Sequence, residues 1–110
     1  MSDQIKKIQV GDIMVGTWGH EQVNVDFYKV VKRTAKFVTM AKIESVITPH
    51  ERLSMQGSAM PDLESQPSKE TLRRKVDRNM DGTQEMTGMF KWGGFIRIWD
   101  GKPQRVSWYA

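Results

Sequence analysis

Residues 25–31 read Val-Asp-Phe-Tyr-Lys-Val-Val, and no other stretch constrains the fold of this chain as much. β-branched and aromatic residues at this density mark a strand, and successive side chains of a strand point to opposite faces. Val25 and Phe27 then share one face, while Tyr28 and Val30 share the other. A sheet with one solvated face alternates apolar and polar residues. This strand is apolar at both parities, so both of its faces need cover. A small, strongly bent barrel or a two-sheet roll provides it.

The flanking sequence repeats the theme in short pieces cut by turn residues. Val10-Gly11-Asp12 reads as a turn into a strand at 13–18, with Ile13, Val15 and Thr17 on one face and Met14, Gly16 and Trp18 on the other. Asn24 to Arg33 is the next strand. Thr34-Ala35-Lys36 is a short turn, and Phe37 to Ile47 completes a hairpin. Pro49 stops the pattern, and residues 48–70, with three prolines, read as a long irregular insertion. For 71–77 a helix capped by Ser68 competes with a short basic strand. Leu72 and Val76 alone make too thin a helical stripe, which favours the strand. Further strands are expected at 86–92, 95–99 and 105–109, the last pairing back across the Asp100-Gly101 turn. The expectation is a mainly β chain forming a single small domain over 1–110. Its architecture is an SH3-like barrel or roll of five to six short antiparallel strands, with the irregular insertion at about 48–70.

Composition removes several kinds of chemistry. The absence of cysteine excludes disulfide scaffolds, thiolate zinc sites and cysteine nucleophiles. His20 and His50 are the only histidines and lack the spacing of a ligand pair, and nothing in the placement of Asp12, Glu21 and Asp26 selects for a metal. No G-x-S-x-G elbow, phosphate loop or dinucleotide turn is present. We therefore expect no metal, no cofactor and no enzyme. The weakest alternative is a small hydrolase using His20 and Asp26, two residues flanking one turn; the competing role for Asn24 and Asp26 is to accept hydrogen bonds from turn amides. With no apolar leader and no membrane-length apolar run, the expected setting is the cytoplasm, with no membrane partner.

Binding is the better-supported class. The net charge of +4 divides evenly between the two halves, which suits nucleic acid without requiring it. Lys29, Lys32 and Arg33, with Lys36, crowd the first hairpin, and Arg73, Arg74 and Lys75 run consecutively further on. These are the candidate phosphate-contacting cations. The competing reading is that they simply solvate outer strand faces. Trp18, His20, Gln22 and Tyr28 are candidates for a partner-binding rim. Met55, Met60, Met80, Met86 and Met89 fall in or near the expected loops, where adaptable side chains suit protein contact. The alternative function is thus an inhibitor that docks on a host enzyme or defence protein. Strand edges also leave a homodimer open.

The run from Gly11 to Ile43, with the closing Trp99-Asp100-Gly101-Lys102-Pro103 segment, resembles a group of small bacteriophage and mobile-element proteins. Gly11, Asp12, Ile13, Trp18, Gly19, Gln22, Asn24, Asp26, Phe27, Tyr28 and Val30 carry the likeness in the first part. The middle of the chain does not share it. The chain departs from the pattern at His20, in place of a tyrosine-like residue, and at Val23, in place of threonine. The resemblance implies a phage or plasmid setting, with the host cytoplasm as location, and no catalytic role.

Overall fold

The structure is a computed structural model that describes residues 6–18, 24–49, 56–78, 82–88 and 95–107. Among them are nine strands and no helix: β1 (Ile13–Trp18), β2 (Asn24–Arg33), β3 (Phe37–Ile43), β4 (Ser45–Pro49), β5 (Gln56–Pro61), β6 (Thr71–Arg78), β7 (Glu85–Gly88), β8 (Phe95–Ile98) and β9 (Gln104–Ser107). Strands β1-β2-β3-β6-β7-β8 close into an antiparallel barrel, and β4-β5-β9 form a second sheet. The fold is mainly β and consistent with a small SH3-like barrel.

The parity of the opening heptad is what the fold uses. Tyr28 and Val30 point into the barrel, where they join Ile8, Met14, Val38, Met40, Ile96 and Ile98. Phe27 points outward into a second core with Val15, Ile43, Ala59 and Val106, formed where the β4-β5-β9 sheet covers the barrel wall. Trp99 seals this layer edge-on against Phe27, with ring centroids 6.2 Å apart, and its indole donates to the Lys102 carbonyl at 2.8 Å. One strand thus serves two cores. Each large apolar side chain so buried contributes on the order of 1.5–3 kcal/mol.

One end of the barrel is closed by the segment before β1. Ile8 is 1% exposed within the inner core, and Lys6 lies beside Gln84 in an isolated parallel bridge. The Ile8 amide donates to Glu85 Oε1 at 2.9 Å, and the same carboxylate takes the Arg33 guanidinium at 2.7 Å. At the turn into β1, Gly11 sits at φ 95° while the Asp12 carboxylate accepts from the Gln9 amide at 2.8 Å.

Three expectations change. The strand expected at 37–47 breaks at Glu44, where the chain leaves the barrel and β4 pairs with β5 instead. The 48–70 insertion therefore carries strand structure, with β5 and the end of β4 inside it, and only 62–70 is irregular among its described residues. The segment after the Asp100-Gly101 turn does not pair back on β8. β9 crosses to β5, opposite Gly57 and Ala59, because its Val106 is needed in the second core. The basic stretch at 71–78 is a strand, as its thin apolar stripe indicated. Residues 89–92 and 108–109 of two expected strands lie outside the described residues.

Candidate nucleic-acid interface

The outer face of β2, β3 and β6 beyond the second sheet carries exposed side chains over a partly buried β3, where Ala41 is 1% exposed, and alternation decides which cations stand on it. On β6 the outward positions are Thr71, Arg73, Lys75 and Asp77, all exposed, with Leu72, Arg74 and Val76 turned inward and half-buried; Asp77 lies past the β3 pairing, opposite Met86 on β7. On β3 they are Phe37, Thr39 and Ala41, since Val38 and Met40 belong to the inner core. On β2, Lys29 is exposed between inward Tyr28 and Val30.

A β-bulge then intervenes. Val30 pairs with Met40 and Lys32 with Thr39, so Val31 is the extra residue. Without it Lys32 would point inward and Arg33 outward; the bulge reverses both. Lys32 joins the outer face, and Arg33, opposite inward Val38, reaches the barrel end.

The registers set these side chains side by side. Lys29, Ala41 and Thr71 form one row across the three strands, Lys32, Thr39 and Arg73 the next, and Phe37 faces Lys75. With strands about 4.8 Å apart, the β2 and β6 cations flank β3 at about 10 Å. Arg73 lies over the Phe37 ring, 4.2 Å from its centroid. No outward position in these rows is acidic. The Arg33–Glu85 and Lys42–Asp26 ion pairs both lie off this face. Lys36, exposed in the β2–β3 turn, adds a cation at its end.

The other proposed site residues have different surroundings. Arg33 is held by Glu85 at 2.7 Å and donates to the Ile8 carbonyl at 3.1 Å and the Thr34 carbonyl at 2.7 Å. Its guanidinium is engaged in this ion pair at the barrel end and stands off the outer face. Arg74 faces inward and donates to the Arg73 carbonyl at 3.1 Å. Tyr28, expected at the rim, is 6% exposed and belongs to the inner core. Burial first, then the Asp26 charge, push its hydroxyl pKa above 10.0, with Arg74 pulling the other way. Trp18 ends β1 opposite Asn24; its side chain, His20 and Gln22 lie outside the described residues.

The rest of the surface offers less. Asp26 meets Lys42 at 3.4 Å at the second barrel mouth. Beside this pair a cavity of about 440 Å³ opens against the 62–70 loop, lined by Lys42, Glu44, Gln66 and Ser68 among others. Its mixed charges suit no one ligand class, and no cluster of three potential metal ligands occurs among the described residues. Of the loop methionines, Met60 is 36% exposed on β5, Met86 is half-buried on β7, and Met55, Met80 and Met89 lie outside the described residues. Neither protein-family models, curated proteins nor solved structures give a match to this chain.

Proposed function

We propose that this protein is a non-enzymatic binding protein that takes nucleic acid on the outer face of β2, β3 and β6. The observation that carries this reading is the placement of Lys29, Lys32, Arg73 and Lys75, all exposed, in the rows of one sheet face, with the nearest outward carboxylate of β6, Asp77, beyond the last of them. A purely solvating pattern has no need to concentrate one sign of charge, and surface lysines usually alternate with carboxylates. Cations fixed along a surface are what phosphate contact requires. The resemblance to phage and mobile-element proteins supports an accessory role in a host cytoplasm.

The test is fluorescence anisotropy with labelled DNA and RNA at about 50 and about 200 mM salt. Four phosphate contacts predict a log–log salt slope of roughly −3 to −4. Replacing Lys29, Lys32, Arg73 or Lys75 singly by Gln is expected to reduce that slope by about one each, whereas Lys102→Gln leaves it unchanged. Absence of salt-sensitive binding below about 10 μM removes the reading.

A second reading, contact with a host protein, has an observation of its own. Val46 and Ile47 on β4 are 53% and 52% exposed, and Met60 lies opposite Val46 on β5. Val46 and Met60 share one face of this sheet and Ile47 the other, and exposed apolar side chains on a border strand suit protein docking. A stoichiometric host partner lost on Val46→Ser with Ile47→Ser favours this reading; failure to capture one with the intact protein counts against it.

A further inference from the structure

We infer that the nucleic acid bound on this face is single-stranded and that Phe37 is the surface on which one of its bases stacks. This rests on the reading above and adds the class of ligand and the residue that selects it.

The cations stand in two lines. Lys29 and Lys32 are on β2, Arg73 and Lys75 on β6, and the β3 positions between them are Phe37, Thr39 and Ala41, all neutral. Ala41 is buried, so the accessible floor is Phe37 and Thr39, about 10 Å across and edged by long basic side chains. A single strand fits that width with its bases toward the floor and its phosphates within reach of either edge. A duplex does not. The major groove admits an inserted helix or two-stranded ribbon, whereas a barrel wall is convex and closed, and no described element projects from this face. Two convex surfaces touch along a line, which leaves most of these cations short of phosphate.

Phe37 supplies the second part of the argument. Its ring stands outward and half-buried on a face otherwise made of polar, charged or small residues. The Arg73 guanidinium lies over one face of the ring. That contact is worth little at an exposed site. Phosphate draws Arg73 off the ring, and an unstacked base takes its place. Paired bases inside a duplex present no free face to such a ring, so Phe37 discriminates between the two forms.

The test uses labelled oligothymidylate and oligouridylate of about 12 nucleotides, and a duplex of the same length. Single strands are expected to bind at least about tenfold tighter than duplex at equal salt. Phe37→Leu keeps an apolar residue on the strand and removes the ring. It is expected to weaken single-strand binding by about 5- to 100-fold, with the salt slope and the duplex affinity unchanged. Phe37→Trp is expected to retain single-strand affinity and have its fluorescence quenched on binding, which covers the case in which Leu disturbs the fold. Equal affinity for duplex, or single-strand binding indifferent to Phe37→Leu with an unquenched Trp, overturns the inference and leaves the electrostatic reading standing. Absence of salt-sensitive binding to all three probes removes both.

Discussion

At the scale of single residues, the Val31 bulge assigns two neighbouring cations to opposite tasks. Lys32 stays in solvent and Arg33 becomes the partner of Glu85. Burial alone raises the pKa of the Glu85 carboxyl. The hydrogen bonds from Arg33 and the Ile8 amide, with the charges of Arg33 and Lys7, outweigh it and hold the group below its ordinary 4.5. A lowered folded-state pKa means the native state binds the proton less readily than the unfolded chain. The stabilisation is thus complete above about pH 4.5 and is lost as the pH falls through the folded value. Arg33 stays charged throughout. Glu85→Gln is expected to cost about 1.5–3 kcal/mol at neutral pH, with the gap to the parent narrowing below pH 4.5 in urea melts; a gap independent of pH refutes the assignment. That Phe27 lies on one face and Tyr28 and Val30 on the other was legible in the sequence because alternation is a local property; which face is inside was not, and Tyr28 was expected at the rim. The role of Arg33 was not, since a bulge arises from how two strands are matched and leaves no mark on either one alone.

Among the elements, the second sheet was the hardest to read. Short apolar runs announce strands but do not name their partners. β9 follows a tight turn that directs it toward β8, yet Val106 has its cover in the second core, and that long-range burial decides the pairing. β6 was legible for the opposite reason: its alternation is regular from Thr71 to Val76, and two apolar positions cannot anchor a helix. The β4–β5 hairpin depends on a close approach at Gly57. A Cβ there would lie 2.6 Å from the Thr48 carbonyl oxygen. That oxygen and the Pro49 Cα, 3.2 Å away, are backbone and cannot swing aside, so Gly57→Ala is expected to destabilise by about 1–3 kcal/mol, measured by chemical denaturation. An alanine variant as stable as the parent shows that the two strands are free to separate.

For the whole molecule, β2 makes the two cores inseparable. Phe27 is in one and Tyr28 in the other, on adjacent residues of one strand. Loss of the outer layer exposes Phe27 and removes support from the wall that contains Tyr28. Near- and far-ultraviolet circular dichroism are therefore expected to report one coincident thermal transition, and Gly57→Ala is expected to shift both signals together. A near-ultraviolet transition that precedes the far-ultraviolet one contradicts a shared scaffold.

Barrel closure also has an order in time. Met14 on β1 finds Ile98 on β8 about 80 residues further along the chain, a delay of roughly 4–16 s at ordinary rates of synthesis. Until β8 leaves the ribosome, β1 has an open edge, and the ring that holds Tyr28 and Val30 is incomplete. The Glu85 carboxylate that fixes Arg33 and Ile8 is made late as well. The growing chain must therefore carry the strand that serves both cores unsealed for most of its synthesis, and its exposure to chaperones and proteases is concentrated in that interval.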